Sequence, residues 1–339
     1  MSKILIIKLG AMGDVLRTTA ILEGLKEKHK AEVWWITKKE SYEILKNNKI
    51  IDNVLVYDGK LINKLKDEKF DLVINLDEDY EACKLASEVN SRKIVGAYLK
   101  NGKQTYTDDS RQWFDMGLIS KYGKEEADRL KKLNKKTYQK HLCEILGIKP
   151  GNVILNLGKE DLKFAENFAK KNGIDKSDIL IGINTGAGKR WRQKSLSIEK
   201  TAKIVDAIAD ELDAKIILFG GKEEKERNEK IKKITKARII DAGCDNSLLE
   251  FASLVNLCSI IVTSDSLALH IATALDKKVA VFFGPTGASE IELYGLGKKI
   301  VAKMDCLCCY KKECNKKPNC MDKIDVQEIV SCTKTLTKK

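Results

Sequence analysis

One stretch near the C-terminal end constrains the fold more than any other: residues 259–286, SIIVTSDSLALHIATALDKKVAVFFGPT. A β-branched run stops at the polar triplet SDS (264–266), and an apolar helical segment begins at once. A second apolar run follows and ends in GPT (284–286). Two buried strands joined by a helix lie parallel, because an antiparallel pair needs only a short turn. The stretch therefore predicts a parallel sheet with both polar turns at its carboxyl edge.

That edge suits a phosphate. Ser264 or Asp265 can cap the helix, whose other free N–H groups and dipole attract anions. Gly284 lets a ligand approach the backbone, and His270, about one turn into the helix, leans back toward the helix N-terminus. The same residues also have an ordinary structural interpretation, as caps and as a buried histidine. The convergence of three polar groups and a glycine turn favours a ligand site.

The length of the chain indicates two domains. A chain of 339 residues suits two cores of about 150 residues each. Charged residues make up 33% and hydrophobic residues 43%, which is typical of a globular protein. No apolar run reaches about 18 residues, and the opening MSKILIIKLGAMGD reads as a first strand and not as a signal peptide. We therefore expect a cytoplasmic protein without a membrane-spanning helix. If its substrate is a membrane lipid, we expect the protein to work at the inner face of the cytoplasmic membrane.

The formal charge of +13 favours anionic partners, such as phosphorylated substrates, anionic membrane surfaces or nucleic acid. Aromatic residues are only 6% of the chain, and no basic run is interleaved with stacking residues. Binding of single-stranded nucleic acid is therefore poorly supported. We expect no nucleic-acid partner.

Strands and helices alternate along the whole chain, which predicts parallel sheets covered on both faces. One amphipathic helix is predicted over residues 15–28, and a loop with a short helix over 97–120. The domains divide within residues 151–178, which also hold a predicted short strand. We place the boundary so that residues 1–158 and 159–339 form the two domains, and we expect the helix from about Asp325 to pack on the first domain.

The first strand runs into Gly10-Ala11-Met12-Gly13-Asp14 and then a helix. This turn is not the GxGxxG dinucleotide fingerprint. It brings the backbone close to a ligand and projects Asp14 from the sheet edge, where a helix N-terminus favours its ionised form. Asp14 is thus available as a base, unless it only stabilises the first helical turn.

Two comparable turns follow strands of the second domain. The segment NTGAGKRW (184–191) supplies Asn184, Thr185 and glycine-rich backbone for phosphate oxygens, and Lys189 or Arg190 can offset the charge of a diphosphate. It does not meet the P-loop pattern. In the turn FGGKE (219–223), Glu223 can accept hydrogen bonds from a ribose.

Taken in order and spacing, IIKLGAMGDVLRT, NTGAGKRW, FGG, TSDSLALHIA and FFGPT resemble glycosyltransferase family 9, the ADP-heptose:lipopolysaccharide heptosyltransferases. The resemblance covers nearly the whole chain. It implies the GT-B fold, in which two Rossmann-like parallel-sheet domains face each other across a cleft. It also implies inversion at the anomeric centre, no metal in catalysis, and donor binding mainly by the second domain.

The resemblance also implies residue roles. Asp14 matches the catalytic base, and the donor-binding positions are matched by Thr185, Lys189, Glu223, Asp265, Ser266 and His270. Many members carry a glycine where this chain has Leu267. The expected activity is transfer of a sugar from an ADP-sugar to an anionic glycolipid of the lipopolysaccharide core, and heptose is the sugar that the resemblance favours. We expect the protein to contact the membrane peripherally. The alternative is a non-catalytic nucleotide-sugar sensor or a scaffold in envelope assembly.

Five of the ten cysteines fall in DCLCCYKKECNKKPNC (305–320). In a reducing compartment such a loop is more plausible as a metal site than as a set of disulfides. We expect either one structural zinc or free thiols. The candidate zinc ligands are Cys306, Cys309, Cys314 and Cys320.

Overall fold

The computed structural model describes residues 2–338, apart from the side chains of residues 189 and 190. The chain divides into two compact units. The first comprises the chain up to Asn156 together with Ser289–Glu292. The second comprises Leu157–Ala288 and the chain from Leu293 onward.

The first unit is built on a six-stranded sheet. Its strands are β1 (Lys3–Ile7), β2 (Glu32–Thr37), β3 (Asn53–Val56), β4 (Leu72–Asn75), β5 (Ile94–Lys100) and β6 (Lys103–Tyr106). Its helices are α1 (Met12–Thr18), α2 (Leu22–His29), α3 (Lys39–Leu45), α4 (Leu61–Lys64), α5 (Tyr80–Glu88), α6 (Arg111–Phe114), α7 (Gly123–Leu133) and α8 (Tyr138–Leu146), with 3₁₀ turns at Thr19–Ile21 and Asp108–Ser110. The strand order is β3-β2-β1-β4-β5-β6, parallel except for the β5–β6 pair.

The second unit repeats this plan. Its strands are β7 (Leu180–Asn184), β8 (Lys215–Phe219), β9 (Ile239–Asp241), β10 (Ile260–Ser264), β11 (Lys278–Phe283) and β12 (Gly297–Val301). Its helices are α9 (Lys159–Lys171), α10 (Ile198–Leu212), α11 (Lys225–Ile234), α12 (Leu248–Leu257), α13 (Leu267–Ala274) and α14 (Val326–Thr337), and 3₁₀ turns lie at Lys189–Lys194 and Lys222–Glu224. A further 3₁₀ turn, Ala288–Glu290, begins in the second unit and ends in the first. The order is β12-β11-β10-β7-β8-β9, with every pair parallel.

Both sheets reverse their strand order at one point, between β1 and β4 in the first and between β7 and β10 in the second. In open α/β sheets the ligand crevice lies outside the carboxyl ends of the strands at such a point. The predicted class, with two Rossmann-like α/β domains, is confirmed. The two reversal points also show where a ligand site belongs in each unit.

The central strands owe their position to continuous apolar runs. Side chains from Ile4 to Ile7 in β1 and from Ile260 to Val262 in β10 are almost completely buried, as expected for strands covered on both faces. Among the described residues, no helix combines the length and the apolar content needed to cross a membrane.

Four local predictions were wrong. The predicted helix over 15–28 is interrupted at Thr19–Ile21, and residues 151–158 form no strand. Within residues 97–120 the predicted short helix is present as α6, but the β5–β6 hairpin takes the place of the predicted loop. Helix α14 belongs to the second unit and not to the first. The reason is that its apolar residues, including Ile329 and Val330, complete the core of that unit.

A buried histidine makes the stability of the first unit depend on pH. The Nε2 atom of His141 lies 3.0 Å from Asn134 Oδ1, and burial, together with Lys136, lowers the pKa of His141 to about 4. Between pH 6.5 and 4 the unfolded chain therefore binds more protons than the folded chain, so stability falls as the pH falls. We expect a loss of about 2 kcal/mol from this residue between pH 7 and 5 in urea unfolding. In His141→Gln the free energy of unfolding should depend less on pH, by that amount. An unchanged pH dependence of unfolding would contradict the lowered pKa of His141.

Candidate active site

The predicted base lies at the reversal point of the first sheet. Helix α1 begins a few residues after β1, and Asp14 is in its first turn. The N-cap, Ala11, provides no side-chain hydrogen bond to the helix. The carboxylate of Asp14 is 38% exposed, and its Oδ1 atom lies 2.9 Å from Arg17 Nη2. Asp14 therefore combines access for a substrate with a position that favours the ionised form.

A buried ion pair lies next to this turn, between Lys8, which follows β1, and Asp77, which follows β4. The Asp77 carboxylate also accepts a hydrogen bond from Leu9 N, and Lys8 Nζ donates to Leu76 O (3.3 Å). Burial alone would lower the pKa of Lys8, but Asp77, Tyr138 and Asp14 raise it above its usual value. The pair thus joins the chain segments that follow the two strands at the reversal point, and its Lys8 ammonium interacts electrostatically with Asp14.

In the second unit, Asn184 connects the two strands at the reversal point. Its Nδ2 atom lies 2.8 Å from Gly186 O, 3.1 Å from Thr263 Oγ1 and 3.3 Å from Ser266 Oγ. The Thr263 and Ser266 hydroxyls are 2.9 Å apart. Asn184 and Ser266 therefore come together as predicted, in one hydrogen-bonded cluster at the carboxyl edge.

The N-terminus of α13 lacks a cap from its own N-cap side chain. The N-cap is Ser266, in extended conformation, and in the described part of the chain its side chain makes no capping hydrogen bond to the helix. The prediction that Ser264 or Asp265 caps this helix was wrong, because Asp265 is held by residues outside the turn. An uncapped N-terminus of an eight-residue helix retains the N–H groups and the dipole that attract a phosphate.

Asp265 is held by Lys194 and Thr286. Its Oδ2 atom lies 2.8 Å from Lys194 Nζ and 2.7 Å from Thr286 Oγ1, while Lys194 Nζ also donates to Asp265 O (3.0 Å). Burial opposes ionisation, yet Lys194, His270 and Thr286 together lower the pKa of Asp265. Asp265 is therefore an ionised carboxylate that fixes an ammonium group next to the α13 N-terminus.

Lys194 is a functional candidate that sequence reasoning missed. It follows the predicted cation, Lys189, by five residues in KRWRQK, and the side chain of Lys189 lies outside the described residues. Lys194 is 11% exposed, and its Nζ atom lies 5.3 Å from the centre of the Trp191 ring. The signal was a fourth basic residue in this segment, but only the fold shows that Lys194 faces Asp265.

The hydroxyl of Thr185 points into the unit. Its Oγ1 atom donates to Asn228 Oδ1 (2.6 Å) and lies 3.2 Å from Phe219 O. Its carbonyl oxygen accepts a hydrogen bond from Arg227 Nε (3.1 Å), and Arg227 also donates to Leu196 O. Thr185 and Arg227 therefore shape the turn after β7, and a donor contact by Thr185 stays a prediction.

Two neighbouring glutamates lie in the turn after β8, and a ribose contact by Glu223 stays a prediction. Glu223 itself is exposed, whereas Glu224 packs against the turn after β7. A Cβ atom at Gly186 would lie 2.1 Å from Glu224 Oε1, and Glu224 Oε2 accepts from Gly221 N (3.0 Å). Glu224 is thus a second candidate for the ribose contact.

His270 and Gly284 lie at the same edge of the sheet. His270 is buried in α13 and interacts electrostatically with Asp265. A Cβ atom at Gly284 would lie 2.5 Å from Cys320 Sγ, so the packing of Cys320 requires a glycine there. This packing alone explains why residue 284 is a glycine. Close approach of a ligand to Gly284 stays a prediction.

The cysteine-rich loop packs on the turn after β11. Cys308 N donates to Gly284 O (3.3 Å), Tyr310 N donates to Pro285 O (2.8 Å), and Gly287 N donates to the Tyr310 hydroxyl (3.1 Å). The loop therefore supports the turn that carries Thr286.

The same loop shows no formed metal site. Within residues 2–338, no three His, Cys, Asp or Glu side chains are arranged so that they could hold a metal ion. Burial, with Cys309 and Cys314 nearby, raises the pKa of Cys320 to about 11, which keeps it a thiol. Zinc held by Cys306, Cys309, Cys314 and Cys320 stays a prediction.

Several solved structures of similar fold are heptosyltransferases or members of glycosyltransferase family 9. A family 9 enzyme of Veillonella parvula superimposes with a TM-score of 0.78 at 20% identity, covering 99% of this chain and 97% of that one. The Escherichia coli ADP-heptose lipopolysaccharide heptosyltransferase II superimposes with a TM-score of 0.67 at 16% identity, covering 98% of each chain. An E. coli heptosyltransferase solved with ADP superimposes with a TM-score of 0.62 at 15% identity, covering 99% of this chain and 98% of that one. These likenesses establish the GT-B fold.

Sequence comparison identifies the family. Lipooligosaccharide heptosyltransferase 2 of Campylobacter jejuni is 26% identical over 191 residues, which are 52% of this chain and 56% of that protein. The chain thus spans about half the length of the curated relative that it matches. The sequence model of glycosyltransferase family 9 (heptosyltransferase) matches residues 59–320, well over half of the chain. The chain belongs to glycosyltransferase family 9.

Proposed function

We propose that this chain is an inverting glycosyltransferase that moves a sugar, best a heptose, from an ADP-sugar to a hydroxyl group of an anionic glycolipid in the lipopolysaccharide core. The observation that carries the proposal is the uncapped N-terminus of α13, with the buried Lys194–Asp265 pair beside it. Such an edge suits the diphosphate of a nucleotide sugar. Family membership and the relatives' names supply the choice of heptose and ADP.

The reaction uses Asp14 as the general base. Its carboxylate takes the proton of the acceptor hydroxyl while the hydroxyl oxygen forms a bond to the anomeric carbon on the face opposite the diphosphate. The bond between the anomeric carbon and the diphosphate oxygen breaks, and its electron pair leaves with ADP. Attack from the opposite face inverts the anomeric configuration. Because the base belongs to the first unit and the donor residues to the second, turnover requires both units.

The leaving diphosphate is stabilised by fixed positive charge. The N–H groups at the start of α13 and the Lys194 ammonium are oriented before the donor binds, so they stabilise the developing charge without reorganisation. Asn184 and Ser266 hold the turn on which these groups depend. Lys189 and His270 are further donor contacts implied by the family resemblance. No step requires a metal ion.

We further propose that the enzyme works in the cytoplasm at the inner face of the membrane. The formal charge of +13 favours an acceptor that carries phosphates or acidic sugars at an anionic surface. The alternative is a non-catalytic nucleotide-sugar sensor or scaffold. Donor binding without release of ADP over any anionic glycolipid acceptor would favour that alternative.

A thermal-shift panel tests the donor. A ligand that binds only the folded chain raises its melting temperature in proportion to the logarithm of ligand concentration over Kd. We expect ADP-heptose and ADP to raise the melting temperature more than the UDP, GDP and CDP compounds do. Adenosine, which lacks the diphosphate, is the matched control and should have little effect. A larger shift with UDP- or GDP-sugars would contradict the ADP assignment.

A further inference from the structure

An arginine one helical turn after Asp14 ion-pairs with it. Arg17 Nη2 lies 2.9 Å from Asp14 Oδ1, and the spacing i, i+3 places both side chains on one face of α1. The Arg17 side chain is 11% exposed, against 38% for Asp14. The arginine is therefore the buried member of the pair, and the carboxylate is the accessible one.

Arg17 packs on Tyr138 of α8, which in turn packs on Trp113 of α6. Its guanidinium carbon lies 4.1 Å from the centre of the buried Tyr138 ring. The Tyr138 hydroxyl is 2.8 Å from Thr18 Oγ1, and its ring contacts Trp113 edge-on at 4.9 Å. A guanidinium stacked on a fixed aromatic ring loses little further entropy when it pairs with a carboxylate. Packing thus sets the position of Arg17 in advance.

The charged and titratable groups around Asp14 come from four parts of the first unit. Arg17 lies on α1, Lys8 follows β1, its partner Asp77 follows β4, and Tyr138 lies on α8. Burial raises the pKa of Tyr138, so its hydroxyl stays neutral. The Asp14 carboxylate thus has the Arg17 guanidinium as its ion-pair partner, while Lys8 and Asp77 neutralise each other.

We propose that Arg17 is a positioning residue for Asp14. The ion pair holds Oδ1, which orients the carboxylate so that Oδ2 receives the acceptor proton, and the positive charge keeps the carboxylate ionised at lower pH. This inference rests on the proposed function, in which Asp14 is the base. Arg17 acts through Asp14 and contacts neither the donor nor the bond that breaks.

The test measures kcat and KM from pH 4 to 9 for Arg17→Gln and Arg17→Lys, with ADP-heptose and a heptose-free lipopolysaccharide acceptor. For Arg17→Gln we expect kcat to fall roughly 10- to 100-fold at pH 6. The acid limb of the profile should move to higher pH, because loss of a neighbouring positive charge favours the protonated carboxyl. The loss should be smaller at pH 9. In Arg17→Lys the acid limb should stay in place while kcat falls less, and ADP affinity should be unchanged in both variants.

Arg129→Gln is the matched control. Arg129 forms the same i, i+3 pair with Glu126, 2.6 Å from Nη2 to Oε1, but it is 58% exposed in α7. We expect wild-type kcat and an unchanged pH profile for this variant. A merely structural role for Arg17 would lower the melting temperature without moving the acid limb.

Two results separate the inference from the proposed function. If Asp14→Asn is inactive and Arg17→Gln keeps the wild-type kcat and pH profile, the role of Arg17 is overturned and the function stands. If Asp14→Asn keeps full turnover, the proposed base itself fails. Should Arg17→Gln fail to fold, Arg17→Lys decides, since a wild-type kcat in that variant also overturns the inference.

Discussion

Replacing Asp14 by asparagine is expected to abolish sugar transfer, with kcat at least about 10³-fold below the wild-type value. Asparagine keeps the size of the side chain and can still contact Arg17, but it cannot accept the acceptor proton. The affinity for ADP should stay within a factor of two or so, because the donor candidates all belong to the second unit. Steady-state kinetics and calorimetric titration with ADP measure the two quantities separately.

Asp108→Asn provides the control for this variant. Asp108 is an almost fully exposed carboxylate of the same unit, paired with Lys121 at 3.5 Å. We expect this variant to keep the wild-type kcat. Wild-type turnover by Asp14→Asn would remove Asp14 from the mechanism, while a large loss of ADP affinity would show that it acts on the donor.

The second large effect is expected for Lys194→Ala, which should weaken ADP binding roughly 100-fold. The variant removes the ammonium beside the α13 N-terminus and leaves the buried Asp265 carboxylate without its ion-pair partner. That uncompensated charge should also cost about 3 kcal/mol of unfolding free energy. The same substitution therefore changes both binding and stability, and calorimetry and urea unfolding follow the two effects.

Two further variants distinguish these effects. Lys194→Arg keeps the charge and should retain most of the stability, with a smaller loss of ADP affinity. Lys215→Ala removes the cation of another ion pair in the second unit, Lys215–Asp178 at 2.7 Å, and should leave ADP affinity unchanged. Unaltered ADP affinity in Lys194→Ala would place the diphosphate elsewhere.

The fold was predictable because its determinants are local. Strands such as β1 and β10 are continuous apolar runs bounded by polar turns, so their positions follow from the sequence alone. The break at Thr19 was not predictable, because nothing in the apolar periodicity marks it. Thr19 Oγ1 accepts a hydrogen bond from Ile154 N (2.8 Å), 135 residues away, while the apolar periodicity runs on without interruption. Strand β6, with the polar sequence KQTY, exists because it pairs with β5.

The site was predictable at the level of turns and less so at the level of individual side chains. Polar residues after parallel strands must meet at one edge, and Asn184, Ser266 and Asp265 do so. Which of several neighbouring charged residues faces the site depends on the backbone between them. The 3₁₀ segment Lys189–Lys194 contains a non-helical residue, Trp191 (φ −131°, ψ 46°), and this bend brings Lys194 to Asp265. Glu224 was missed for a similar reason, in the 3₁₀ turn Lys222–Glu224.

Sugar transfer itself is the most direct test of the central claim. The wild-type chain is incubated with ADP-heptose of known anomeric configuration and a heptose-free lipopolysaccharide acceptor, and the product is analysed by NMR. We expect one new glycosidic linkage of the opposite anomeric configuration and one ADP released for each sugar transferred. A retained configuration would contradict direct displacement assisted by Asp14, and the absence of any glycosidic product would contradict the proposed activity.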